Sequence, residues 1–359
     1  MTRSPAVAYV AGWSMQRAPG LARYADELLA ALRDVAPAPR IDALTARRSG
    51  LARIAWAQTE VPARLARLRP DVCHVTASPA PLAWRGPVVL TVHDLSLLRE
   101  PASHPRGRAR LGAPLLRRSV ARAHAVIVPS QATAADARRL LGVPDDRLHV
   151  IPEAAATCFR RIEDPEVLAR VAARHGVRPG SVLAVGTLEP RKNLERLVEA
   201  WVRLRTAGYD GQLVLAGTVG WGAERLLARL ADPAIAPDVR RLGRVADADL
   251  PALLSMAGAV AYPSRLEGFG LPVVEAIACG APVVVARGGA PEEVAGDVAI
   301  AVDASDVVAL AEGLARALEP GPERDRLRSA GPVRAAAFSW DAAARATWRV
   351  YEQAAGSAA

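Results

Sequence analysis

The sequence predicts an α/β protein built from two doubly wound domains, each a parallel sheet covered by helices on both faces. Three observations carry this. The chain has 359 residues, about two to two and a half times the usual domain length. Short β-branched runs alternate with longer helical patterns from end to end, the signature of parallel sheets with helical crossovers. A stretch punctuated by Pro152, Pro165 and Pro179 separates the strand-like runs of the two halves. The boundary is expected near Cys158, giving domains 1–157 and 158–338 that face a central cleft, with a helix over 339–356 able to return to the first.

In chain order, the first strand is expected at 7–10, inside an apolar stretch spanning 5–15. That stretch also resembles a short signal sequence, but Trp13 and the lone Arg3 give it poor flanks for one. Further strands follow at 88–92, 125–128 and 148–151 in the first half, and at 181–185, 212–216, 259–262 and 282–285 in the second. Helices are expected at 194–204, 250–257 and 339–353, the last from Trp340, Trp348 and Tyr351 at helical spacing. In 104–124, Leu111, Leu115, Leu116 and Val120 can face a core while Arg106, Arg108, Arg110, Arg117, Arg118 and Arg122 reach outward.

Composition narrows the function classes. Hydrophobic residues at 51% and charged residues at 23% suit ordinary cores. No run approaches the roughly 18 apolar residues of a membrane span. Cys73, Cys158 and Cys279 fit neither a metal site nor a disulfide framework, so each reads as a small core residue in a reducing cytosol. Residues 1–155 hold 22 arginines against 12 acidic residues, so the first half carries the net charge of +9. A nucleic-acid partner is not expected, because no binding motif and little aromatic interleaving accompany the arginines. A Rossmann dehydrogenase is disfavoured as well, since Gly12 and Gly20 have the wrong spacing after the first strand.

Ligands of open α/β sheets collect beyond the carboxyl ends of strands, so chemistry is expected in the loops after strands. Gly186-Thr187-Leu188-Glu189-Pro190-Arg191-Lys192-Asn193 lies between a strand and a helix and contains the single lysine of the chain. Helix-start amides with two adjacent cations suit a diphosphate; the alternative is a surface turn with solvated cations. The second loop, Glu267-Gly268-Phe269-Gly270-Leu271-Pro272-Val273-Val274-Glu275, also joins a strand to a helix, with Pro272 suited to the first helical position. Its amides can bind anionic oxygens and Glu275 can accept from vicinal hydroxyls, although the helix dipole alone also favours a carboxylate there. Thr91-Val92-His93-Asp94 ends a strand of the first half; a lone histidine of this kind is more often a packing or surface residue. Asp247-Ala248-Asp249 looks like a metal-binding DxD but precedes a helical run and reads as a cap.

Together these residues resemble the retaining glycosyltransferases of family 4, which have the GT-B fold. The resemblance runs from Gly20-Leu21-Ala22-Arg23-Tyr24 through the VHD strand end, Val128-Pro129-Ser130, the GTLEPRKN loop and Glu267/Glu275 with the following Ala276-Ile277-Ala278-Cys279-Gly280-Ala281-Pro282. The GTLEPRKN form is most similar to the bacterial branch that contains mannosyltransferases using GDP-mannose. The resemblance implies that Arg191 and Lys192 hold the donor diphosphate and Glu275 the ribose. By the same resemblance Glu267, with the backbone of Phe269, Gly270 and Leu271, meets the transferred sugar and adjoining phosphate. His93 would contact sugar hydroxyls, and Arg244 and Val245 would border the base. Gly20, Thr187 and Gly217 would complete the donor site. Thr187 stands where many relatives carry an arginine, and Ala22 replaces a common glycine of the first loop.

The expected activity is therefore hexosyl transfer with retention, from GDP-mannose or else a UDP-sugar, to a glycan, lipid-linked or small-molecule acceptor. No metal and no other cofactor is expected. The enzyme is expected in the cytoplasm, with peripheral contact between the basic 104–124 segment and an anionic membrane as the alternative to a merely solvated helix face. Competing readings are a nucleotide-sugar epimerase or phosphorylase of related fold, and a non-catalytic nucleotide-sugar-binding protein.

Overall fold

A computed structural model describes residues 4–12, 19–35, 39–46 and 50–356. The chain divides into two compact units, changing over between Glu153 and Ala154 and returning between Phe338 and Ser339.

The first unit runs β1 (Val7–Ala11), α1 (Pro19–Leu32), β2 (Ile41–Thr45), α2 (Gly50–Gln58), α3 (Glu60–Leu68), β3 (Val72–Val75), β4 (Val88–Thr91), α4 (Ser96–Arg99), α5 (Arg106–Arg122), β5 (Ala125–Val128), α6 (Gln131–Leu141) and β6 (Leu148–Val150). Its strands form one parallel sheet in the order β2-β1-β3-β4-β5-β6. β1, β3, β4 and β5 are buried along their whole length, which explains their unbroken apolar runs. Ala22, expected in the first loop, stands with Gly20 and Tyr24 in the first turns of α1, and residues 13–18 before them lie outside the described set. In α5, Leu116 and Val120 are buried as expected, whereas Leu111 is 52% exposed.

The second unit runs α7 (Pro165–His175), β7 (Val182–Val185), α8 (Leu194–Thr206), β8 (Leu213–Ala216), α9 (Glu224–Leu230), β9 (Val239–Gly243), α10 (Leu250–Met256), β10 (Ala259–Tyr262), α11 (Leu271–Ala278), β11 (Val283–Ala286), α12 (Ala290–Ala295), β12 (Ala299–Val302), α13 (Val307–Leu318) and α14 (Pro322–Ala335). Its parallel sheet has the order β12-β11-β10-β7-β8-β9. The first strand of the unit, β7, therefore lies between β8 and β10, and the β7/β10 seam is the point where the winding reverses. Trp201 of α8 fills the core, fully buried, its Nε1–H donating to the Gly211 carbonyl at 3.2 Å.

The last helix, α15 (Trp340–Gly356), belongs to the first unit and packs on α1. Its Tyr351 hydroxyl lies 2.6 Å from Nδ1 of buried His74 in β3, whose Nε2 lies 2.9 Å from the Thr91 hydroxyl; Thr91 in turn meets the Tyr24 hydroxyl at 2.9 Å. Burial holds His74 neutral by pulling it down to about 3. Among the cysteines, Cys73 and Cys279 are buried but Cys158 is exposed, contrary to its reading as a core residue. No described helix is long and apolar enough to cross a membrane.

Candidate active site

Both motif loops of the second unit leave the carboxyl ends of adjacent strands. The loop after β7 makes a single 3₁₀ turn at Pro190–Lys192, and the left-handed Asn193 (φ 57°) then opens α8. Asn193 is buried, its side-chain amide donating to the carbonyls of Pro263 and Ala304, so the loop is stitched to the one after β10. Gly217, after β8, permits this crowding: a Cβ there would lie 1.8 Å from the Gly186 carbonyl oxygen. Gly217 thus has a packing reason to be glycine.

Three charged side chains, each no more than 14% exposed, meet at the seam. Glu267 accepts from Lys192 Nζ through Oε1 at 2.6 Å and pairs with Arg191 Nη1 through Oε2 at 2.8 Å. Lys192 also donates to the Tyr262 hydroxyl at 2.8 Å, and Arg191 to Glu189 at 2.8 Å and to the Leu266 carbonyl at 2.6 Å. Burial alone would raise Glu267, but the charges of Arg191 and Lys192 outweigh it and hold the carboxyl at about 2. Burial pulls Lys192 below the ordinary lysine range against the opposing pull of Glu267. The cluster is a bound carboxylate with two cations, at the winding reversal where such sheets take ligands.

The second loop ends at Gly270, which at φ +103° takes a conformation that other residues rarely adopt. α11 starts at Leu271, so Pro272 is its second residue rather than its first. Phe269 is buried against Phe338, ring centroids 5.7 Å apart, which anchors the loop. Glu275 is 3% exposed one turn into α11. Thr187 is half-buried beside Gly220, and Arg244 and Val245 follow β9, Arg244 exposed.

His93 follows β4 in the first unit. Its Nε2 lies 2.8 Å from the Thr76 carbonyl and its Nδ1 3.0 Å from Glu153 Oε1. Both ring nitrogens are thus engaged within the unit, and the Tyr24 ring packs edge-on against the imidazole at 4.5 Å. Gly20 is exposed at the start of α1.

Asp249 does not cap α10 with its side chain, as the sequence suggested. Its carboxylate instead takes Arg174 at 2.8 Å and His175 Nε2 at 2.9 Å from the end of α7, and the His175 bond leads the effects that lower it. A guanidinium and an imidazole at a helix C-terminus outcompete a neighbouring amide for that carboxylate. Among the described residues, no group of three or more His, Cys, Asp or Glu is placed to hold a metal ion.

Glu189, Tyr262 and Glu153 were not singled out from sequence. Tyr262 ends the strand five residues before Glu267 opens the second loop, and Glu153 follows a strand as a carboxylate among apolar residues; each position was a usable signal.

Residues 19–157 match the family described as Glycosyltransferase Family 4, and residues 170–334 match Glycosyl transferases group 1. The O-antigen chain mannosyltransferase B of Escherichia coli is 31% identical over 265 residues, covering 74% of this chain and 70% of that protein. Among solved structures, sucrose-phosphate synthase from Thermosynechococcus elongatus superposes with a TM-score of 0.79 at 21% identity, over 96% of this chain and 98% of that one. Anabaena HepE, in complex with UDP-glucose, does so with a TM-score of 0.73 at 20% identity, over 98% of each chain.

Proposed function

The chain belongs to glycosyltransferase family 4, has the GT-B fold and is a hexosyltransferase, and on that premise we propose that it moves mannose from GDP-mannose to a glycan or lipid-linked acceptor with retention and without a metal ion. The observation that carries the reading is the Arg191–Lys192–Glu267 cluster at the β7/β10 seam. Two cations held by a carboxylate are a preorganised diphosphate site whose counter-charge can be exchanged. The donor diphosphate takes Arg191 and Lys192 from Glu267, and the released carboxylate turns to the sugar. Phe269, Gly270 and Leu271 present backbone to the adjoining phosphate, Glu275 accepts from the ribose hydroxyls, and Arg244 and Val245 border the base. Gly20, Thr187 and Gly217 keep backbone close to the donor.

As GDP leaves, negative charge grows on its terminal phosphate. Arg191, Lys192 and the amides at the start of α8 and α11 offset that charge, which is the work a metal ion would otherwise do. Glu267 is an ionised, paired carboxylate; in this reading it and His93 orient the sugar for same-face attack and neither acts as nucleophile. The mannosyltransferase among the relatives supports mannose, whereas the UDP-glucose of Anabaena HepE makes the uridine sugars the arm to test. Thermal shifts with GDP-mannose, UDP-glucose and ADP-glucose decide the base, since a ligand at 100 times its Kd adds about 2.7 kcal/mol. GDP-mannose should give the largest shift; a larger one with UDP-glucose would overturn the donor assignment. Turnover unaffected by EDTA is expected, and a strict Mn²⁺ or Mg²⁺ requirement would overturn metal independence. Binding without turnover on any acceptor would turn the protein into a nucleotide-sugar sensor.

A lipid-linked acceptor fits the cationic first unit. Exposed Arg110 and Arg118 flank exposed Leu111 on α5, while Arg117 and Arg122 donate to the carbonyls of Leu140, Trp84 and Gly86. Each surface arginine adds on the order of 1 kcal/mol at an anionic membrane. Sedimentation should show salt-sensitive binding to anionic but not neutral vesicles; equal binding to both, or none at low salt, would leave a soluble acceptor.

A further inference from the structure

The hydrogen-bond geometry around His93 limits where its protons can be. A carbonyl oxygen only accepts, so the 2.8 Å contact with Thr76 requires a proton on Nε2. If that were the only ring proton, the Nδ1 lone pair would point at the Glu153 carboxylate 3.0 Å away, a contact between two acceptors. A second proton within this contact removes the conflict, and placed on Nδ1 it makes a charge-assisted bond.

The titratable side chains described beside that bond on α1 and β3 are uncharged. Tyr24, on α1, is uncharged because burial pushes its hydroxyl far up, and His74, on β3, is neutral because burial pulls it to about 3. Asp94, next to His93, is turned to the start of α4, where its Oδ1 accepts from the Ser96 amide at 2.8 Å and from the Ser96 hydroxyl at 2.5 Å. Glu153 is 3% exposed and is the last residue before the chain leaves the first unit. The ring plane is fixed by Tyr24, itself held by Thr91 and by Trp340 at 5.9 Å.

We infer that Glu153 is a positioning residue that keeps the His93 imidazole doubly protonated, so that Nε2–H is a cationic, charge-strengthened donor to an oxygen of the transferred sugar. The Thr76 carbonyl holds this donor until a sugar hydroxyl takes it, while Nδ1–H stays on Glu153 and keeps the ring from turning. The inference rests on the reading of His93 as a sugar contact.

Two-dimensional ¹⁵N spectra of the His93 ring in the full-length protein, assigned by their loss in His93→Ala, test it near neutral pH. Both ring nitrogens of the wild type should carry protons. In Glu153→Gln the amide donates to Nδ1 instead, so Nδ1 should lose its proton while the ring stays oriented. Turnover number in that variant should fall about ten- to a hundredfold, the cost of one charge-assisted hydrogen bond, with donor KM within about twofold. Glu153→Asp should restore both the Nδ1 proton and most of the turnover. An unprotonated Nδ1 in the wild type, or wild-type turnover in Glu153→Gln, would overturn the inference. Full turnover by His93→Ala would remove the sugar contact itself, a failure distinguishable from that of the pairing, which the wild-type spectrum decides alone.

Discussion

Lys192 donates to both Glu267 and Tyr262 from a buried position, so its loss removes a fixed charge from the site and one donor from the Tyr262 hydroxyl. Lys192→Ala should weaken the transition state by about 2–4 kcal/mol, the range for a preorganised charge-stabilising group; an unchanged kcat/KM would remove Lys192 from the donor site. The two carboxylates should respond differently. Glu275→Gln should mainly raise donor KM, whereas Glu267→Gln should mainly lower kcat, and identical profiles would contradict the separate roles. Glu267→Gln also strips the counter-charge from two largely buried cations, a change that costs about 3–5 kcal/mol when one partner of a buried pair is removed. Because a diphosphate would restore that charge, GDP should raise the melting temperature more in Glu267→Gln than in the wild type. An equal or smaller rise would show that diphosphate and carboxylate do not compete for Arg191 and Lys192.

The α15 helix is tied to the first sheet by one polar contact as well as by its apolar face, since Tyr351 meets the buried His74 at 2.6 Å. Tyr351→Phe keeps the ring and leaves Nδ1 of His74 without that partner, which should cost about 1–3 kcal/mol. Chemical denaturation checks this, and a midpoint unchanged from wild type would make the contact energetically silent. The apolar runs of β1, β4, β5, β7, β8, β10 and β11 were legible because strands buried on both faces are unbroken hydrophobic stretches. β2 and β9 were not, for their burial is partial and polar residues such as Asp42, Arg240 and Arg241 interrupt them. The two motif loops could be read in one dimension, but their meeting depends on β7 pairing with β10 across some seventy-five residues, which no local pattern encodes. For the same reason the pairing of Glu153 with His93 was invisible: the two are 60 residues apart in sequence. The Asp249 cap failed because its competitors, Arg174 and His175, come from another helix.

At the scale of the chain, the basic excess and the most strongly depressed histidine both lie in the first unit, while the paired carboxylate at the seam lies in the second. His74 ordinarily takes a proton near 6.5 but in the folded unit only near 3, so the unfolded form binds more protons between those values. The contribution of His74 to the stability of the first unit is therefore complete above pH 6.5 and falls as pH drops from there toward 3. Glu267, held at about 2 against the usual 4.5, contributes stability that is present above 4.5 and lost only as pH falls toward 2. The first unit should accordingly open at higher pH than the second, and its surplus of arginine adds repulsion in the same direction. Short pepsin pulses at stepped pH, with the cleavage sites mapped by mass spectrometry, should find cuts within 50–153 before cuts within 154–338. His74→Gln, which retains a donor and an acceptor, should flatten the stability profile between pH 6.5 and 4.5 and leave the lower limb intact. Opening of the second unit first, a single coincident transition in both, or an undiminished upper limb in His74→Gln would contradict this order, and with it the assignment of the upper limb to a neutral histidine buried under α15.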